Sequence, residues 1–156
     1  MSHVAEAPSL RTKSYVFPSS IEWLADRTVS AKVSGKQHIA VGPPLEFGGT
    51  DSLIWSPEDF LVASAASCLA VTYTGLAQRQ GVHLSSLRVD GDGVVGTRDD
   101  GRFGFTELNL RLRIVVPPSE ADAATEVAHA AHERCLVAAS LAVPVEVEID
   151  VRSTAE

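Results

Sequence analysis

The sequence predicts an α+β domain in which antiparallel sheets enclose a buried central helix. Three patterns carry this expectation. Apolar and polar residues alternate through 21–42, 84–116 and 145–152, the mark of half-buried strands. One long apolar segment at 57–80 is bounded by helix start and stop signals. A second helical segment at 120–139 separates the long central strands from the last one. Strands, helix, hairpin, helix and strand in that order make an α+β pattern. The length of 156 residues suits one domain with a real core. Residues 1–13 read as a flexible N-terminal arm and 14–156 as the domain itself.

The early strands are short. Residues 21–25 (IEWLA) are extended, 28–35 (TVSAKVSG) alternate, and 37–42 (QHIAVG) follow. Pro43, Pro44, Gly48 and Gly49 then force a loop that runs to Trp55. Ser56-Pro57-Glu58-Asp59 is a helix start. Ser56 caps, Pro57 suits the first helical position, and Asp59 completes a capping box. Gly81 marks the stop. The stretch 60–76 is apolar or small nearly all round, so the helix should be enclosed on every side. Small residues at 63–67 admit a close neighbour, and in so short a chain the missing wall is expected to be a second subunit.

Two long strands follow, 84–97 and 103–116, joined at Asp99-Asp100-Gly101. In the second, Leu108, Leu110, Leu112 and Ile114 alternate with Asn109, Arg111 and Arg113, giving one wet face. Pro117-Pro118 ends the hairpin. Ser119 and Asp122 suggest another capping box opening a helix over 120–139. Residues 145–152 (VEVEIDVR) alternate strictly and close the chain as a strand.

Composition excludes some functions. A hydrophobic share of 45% is not that of a disordered chain. The net charge of -7 and pI near 5.2 argue against nucleic acid as a partner. The N-terminus lacks a basic segment followed by an apolar one, so no secretory signal is expected. The apolar run 60–71 is too short to span a bilayer, so no membrane partner is expected. The protein is expected to be soluble and cytoplasmic, where a lasting structural disulfide is disfavoured and a transient catalytic one is allowed.

The chemistry rests on two cysteines, Cys68 and Cys135, each within an apolar helical segment and not in a CxxC motif. They are either packing residues or a pair that meets in space. His129, His132 and Cys135 share helical spacing, but no fourth ligand has a recognisable spacing, so neither metal nor cofactor is expected. No Gly-x-Ser-x-Gly motif frames Ser64, Ser67 or Ser140, and no glycine-rich phosphate loop is present. Phe47, Trp55, Phe60 and Tyr73 either wall an apolar pocket near Cys68 or pack in core and loop.

The segment SPEDFLVASAASC, with Cys68 ten residues after Glu58, resembles the OsmC/Ohr family, the osmotically inducible and organic hydroperoxide resistance proteins. Gly48-Gly49 upstream, AHERCLVAASL and the alternating last strand extend the resemblance over about 20–152. Leu136 follows the second cysteine where many relatives have proline. The resemblance implies an OsmC-like fold and an intertwined homodimer. It implies a thiol peroxidase in which Cys68 attacks an organic hydroperoxide and becomes a sulfenic acid. Cys135 then forms the Cys68–Cys135 disulfide, and an external dithiol, expected to be a dihydrolipoyl protein, resets it.

A cysteine in an apolar helix has its pKa raised by burial, and Cys68 is too far from the helix start for the dipole to help. A cation is therefore expected. The resemblance points to Arg27, with Glu58 as its bidentate partner. Ten helical residues rise about 15 Å. Glu58 therefore reaches Cys68 only through a bent helix or from a partner chain. The rival reading is a non-catalytic dimeric module with structural cysteines that binds a small apolar ligand.

Overall fold

The computed structural model describes residues 13–155, so the expected arm lies outside the described residues but for Lys13. Strands β1 (Ser20–Ala25), β2 (Thr28–Lys32) and β3 (Ile39–Val41) form an antiparallel sheet in that order. A loop with a short 3-10 turn at Leu45–Phe47 leads to helix α1 (Pro57–Gln80). Strands β4 (Ser86–Thr97) and β5 (Phe103–Val116) make the long hairpin. Helices α2 (Ala121–Glu133) and α3 (Leu136–Ser140) lead to β6 (Val145–Ser153).

The α+β expectation holds, with one difference in the second sheet. Strand β6 pairs with β5 in parallel, from Leu108↔Val145 to Val116↔Ser153. The sheet β4-β5-β6 is therefore mixed. The cause is the crossover: α2 and α3 carry the chain back along β5, so β6 starts beside Leu108 and runs in the same direction as β5.

Helix α1 begins and ends where its local signals require. Ser56 Oγ accepts from the Asp59 amide at 3.1 Å, and Asp59 Oδ2 accepts from the Ser56 amide at 2.8 Å. Gly81 closes the helix at φ 70°, a left-handed conformation that costs glycine little. One side of α1, with Ala65, Leu69, Tyr73, Leu76 and Ala77, is buried. It packs among Leu108, Leu110, Leu112 and Ile114 of β5 and Ala124, Val127 and Ala128 of α2. The Tyr73 hydroxyl donates to the Ala124 carbonyl at 3.4 Å, and burial pushes its pKa up to about 12. By length and apolar composition alone α1 also suits a bilayer, but here it is the central helix of the core.

The enclosure expected all round α1 is met on one side of a single chain. Val71, on the other side, is 71% exposed. The N-terminal sheet contributes nothing to the core cluster, and Ile21 and Trp23 on it are 62% and 70% exposed.

The second helical segment departs from expectation twice. Ser119 does not cap it: 118–120 form a 3-10 turn, closed by the Glu120 amide donating to Pro117 O at 2.9 Å. The Glu120 carboxylate instead accepts from the backbone amide of His83 at 2.6 Å. The helix is also broken between Glu133 and Leu136.

Ser56 is buried and its cap is reciprocal. Ser56→Ala is therefore expected to cost about 1–2 kcal/mol in urea unfolding. Ser56→Thr is expected to recover most of it.

Candidate active site

Cys68 lies in the middle of α1, at the edge of its buried side. Cys135 lies at the corner between α2 and α3 and not within one continuous helix. The Arg134 amide still donates to Ala130 O at 3.1 Å, and the Cys135 amide to His132 O at 3.2 Å. Cys135 then turns extended, with ψ 102°. The Ala139 amide bonds back to Cys135 O at 3.0 Å and starts α3. Among the described residues the Leu136, Val137 and Ala138 amides have no backbone acceptor, as at the start of any helix.

These free amides meet the thiols. Burial, the strongest influence on Cys68, pushes its pKa up. The Val137 amide, the Cys135 thiol, the Thr72 hydroxyl and the Leu136 amide act the other way, and Cys68 ends below the ordinary cysteine value. Cys135 goes in the opposite direction. Burial pushes it up, the Ala138 and Val137 amides oppose this, and the neighbouring Cys68 adds to the rise. The two thiols are thus close enough to influence each other's ionisation, one half-buried and the other 1% exposed. Both are free thiols.

No charged side chain among the described residues contributes to the lowering of Cys68. The donors that do act on it include main-chain amides that only a helix break exposes. No Pro or Gly announces that break. Thr72, four residues after Cys68 on the same helix, was legible as a neighbour; the amides were not.

Arg27 and Glu58 lie together elsewhere. Arg27 is the second residue of the tight turn between β1 and β2, after Asp26 at φ 49°. Its Nη1 donates to Phe47 O at 2.8 Å. Arg27, Phe47, Pro57 and Glu58 line a cavity of about 240 Å³. Glu58 Oε2 is buried and has no hydrogen-bond partner among the described residues. Since α1 is unbroken from Pro57 to Gln80, Glu58 stays about 15 Å along the helix from Cys68.

A larger open groove of about 920 Å³ runs along α1 against β4. Its wall includes Trp55, Glu58, Val62, Ala66 and Phe105. Trp55 stacks on Phe60 at 5.2 Å, Phe47 meets Phe103 edge-on at 6.1 Å, and Tyr73 belongs to the core. Of the four aromatics considered from sequence, Trp55 alone lines this groove. Among the described residues no three His, Cys, Asp or Glu side chains converge as a metal site, and His129 is exposed on α2.

With this geometry in hand, comparison with known proteins defines the class. The family described as OsmC-like protein matches residues 49–150, and the chain belongs to it. An OsmC-like protein of unknown function from Vibrio cholerae is 20% identical, with a TM-score of 0.79 over 87% of this chain and 99% of that one. An organic hydroperoxide resistance protein from Elizabethkingia anophelis is 20% identical, with a TM-score of 0.72 over 91% and 99%. Another, from Bacillus subtilis, is 19% identical, with a TM-score of 0.59 over 87% and 98%. At these identities the likeness shows the fold. No curated protein matches the sequence.

Leu136→Pro tests the amide donors. Proline suits the first helical position and an extended residue before it, as Cys135 is, but has no N–H to give. The Cys68 thiolate titration is expected to move to higher pH, so that less thiolate remains at neutral pH. Leu136→Ala, which keeps the amide, should leave it in place.

Proposed function

We propose that this protein is a cysteine-based peroxidase that reduces organic hydroperoxides, alkyl or lipid. The observation that carries the reading is the meeting of two thiols with opposite properties. Cys68 is half-buried with a lowered pKa; Cys135 is buried with a raised one. The attacking thiol must ionise and meet substrate, and Cys68 is suited to both. In the proposed reaction the Cys68 thiolate attacks the outer peroxide oxygen. The O–O bond breaks, sulfur becomes a sulfenic acid, and the alkoxide takes a proton and leaves as an alcohol. Cys135 then attacks the sulfenic sulfur, forming a disulfide and releasing water. An external dithiol restores both thiols by exchange, and a dihydrolipoyl protein fits that role. The reading assigns the cycle to the cytoplasm, where thiols are returned to the reduced state.

Arg27 and Glu58 enter the reading through a second chain. We propose a homodimer in which these two residues support the Cys68 of the partner. Three observations favour this: the unbroken α1 between Glu58 and Cys68, the unpartnered Glu58 Oε2, and the exposed apolar sides of α1 and the N-terminal sheet.

One equivalent of cumene hydroperoxide added to reduced protein should consume both free thiols and form one intramolecular disulfide. Cys68→Ser should abolish turnover, and Cys135→Ser should stop after one oxidation at sulfenic acid. Unchanged thiols would favour the non-catalytic module. Full activity in Cys68→Ser would overturn the assignment of roles.

Mixing a Glu58→Ala chain with a Cys68→Ser chain tests the trans arrangement. Each alone should be weak or inactive. The mixed dimer keeps one intact Glu58 and one intact Cys68 on different chains. It is expected to recover roughly half the wild-type activity, given independent sites. No recovery in a mixed dimer verified by mass spectrometry would exclude the arrangement.

A further inference from the structure

We infer that Phe103 of β5 is a positioning residue for Arg27, acting through the ring and the carbonyl of Phe47. The inference deepens the proposed reaction and rests on the part that Arg27 takes in it. It begins with what an exposed arginine lacks. Arg27 stands on the tight turn after β1, and its side chain is long and rich in rotamers. Its charge serves a reaction only if the guanidinium is held in one place.

The structure supplies a holder. Arg27 Nη1 donates to Phe47 O at 2.8 Å. That carbonyl belongs to a loop closed on itself. The Phe47 and Gly49 amides both donate to Pro44 O, at 3.0 and 2.9 Å, and the Gly48 amide donates to Leu45 O at 3.1 Å. These turns use the carbonyls of Pro44 and Leu45, and the carbonyl of Phe47 takes Arg27. The closure requires glycine. A Cβ on Gly49 would stand 2.1 Å from Pro43 O and 2.8 Å from Pro44 O, main-chain atoms that cannot swing aside. A Cβ on Gly48 would stand 3.5 Å from Arg27 Nη1, so the guanidinium lies close against the glycine pair.

A closed loop is only as fixed as its attachment, and here the attachment is aromatic. The Phe47 ring meets the Phe103 ring edge-on, with centroids 6.1 Å apart and planes at 70°. Phe103 opens β5, where it pairs with Thr97 at the end of the hairpin. It is 66% exposed and stands outside the core cluster. The core gives no reason for an aromatic side chain there; the Phe47 ring does. A line of contacts therefore runs from the hairpin through two rings and one carbonyl to the guanidinium. A guanidinium carries five N–H donors in a planar fork, and one acceptor leaves the others available. They face the cavity that Arg27 shares with Glu58, whose Oε2 has no partner among the described residues.

The test uses the full chain and reads Arg27 before it reads activity. Nuclear-spin relaxation of the Arg27 Nε–H, assigned by its loss in Arg27→Ala, should show a restricted side chain in the wild type. Phe103→Ala should free it, and Phe103→Tyr, which keeps the ring, should hold it. The first oxidation of Cys68 by cumene hydroperoxide at neutral pH should slow severalfold in Phe103→Ala and recover in Phe103→Tyr. In an Arg27→Ala background Phe103→Ala should cost nothing further, because nothing is left to position. Unchanged Arg27 relaxation in Phe103→Ala would overturn the inference. So would an unchanged oxidation rate, or a loss of equal size with and without Arg27, the mark of simple packing. Failure of the peroxidase reading looks different. Wild-type thiols would then survive the peroxide, while Arg27 stayed restricted in the wild type and free in Phe103→Ala.

Discussion

Everything placed by this fold depends on how closely α1 lies on β4. A Cβ at Gly91 would stand 3.1 Å from Val62 and 2.9 Å from Leu110. One at Gly93 would stand 3.1 Å from Val62 and 2.5 Å from Phe105. Two absent side chains thus make the seat into which Val62 presses. The seat sets the rotation of the helix about its axis. Leu69 and Tyr73 then turn to the core, Cys68 and Thr72 fall at its edge, and Val71 turns outward. Core positions as dense as these tolerate little shift. The orientation of Cys68 is consequently a property of the sheet as much as of the helix that carries it.

The asymmetry between the thiols follows from where each chain segment ends. A continuous helix consumes its amides internally, but at Cys135 the chain leaves one helix and starts another. The first amides of α3 are then free to meet sulfur. Two neighbouring thiols do not readily ionise together, because like charges at short range oppose each other. Favouring ionisation of Cys68 therefore disfavours that of Cys135. On the peroxidase reading, Cys135 stays a thiol until the sulfenic sulfur of Cys68 forms beside it.

What could be read in advance followed the range of the forces involved. The bounds of α1 were legible because Ser56, Pro57, Asp59 and Gly81 act within one turn of the helix end. The β4–β5 hairpin was legible because alternation is local. Strand direction is not local. The alternation of 145–152 is identical for parallel and antiparallel pairing, and only the crossover decides it. The break at Cys135 was hidden for a related reason. Ala124, Val127, Ala128, Ala131 and Cys135 continue one apolar stripe, so periodicity predicts a single helix. A straight helix over 120–139 would run about 30 Å. The return from Val116 to Leu108 is only about 26 Å. Turning at Cys135 absorbs the excess. The cysteines were thus identified from sequence, while the donors that differentiate them were not.

Arg27 and Glu58 pose a different problem, because the fold of one chain leaves their purpose incomplete. A buried carboxylate oxygen without a partner costs about 1–3 kcal/mol or more, and Glu58 Oε2 is in that state. Arg27 shares its cavity but donates to Phe47 O. The strain is relieved if a further donor or a shift of Arg27 completes the pair. The same end of the molecule holds the other unfinished surfaces. The groove beside Trp55 and Val62 is open, and the N-terminal sheet has Ile21 and Trp23 bare. Covering apolar surface of this extent is a strong driving force for association. On the dimeric reading one event closes all three deficits, because the surface that covers α1 also carries the charges to the partner's thiols. Activation of Cys68 then has two layers. On that reading donors within the chain lower its pKa before assembly, and the Arg27 guanidinium, held by Glu58, acts only after it.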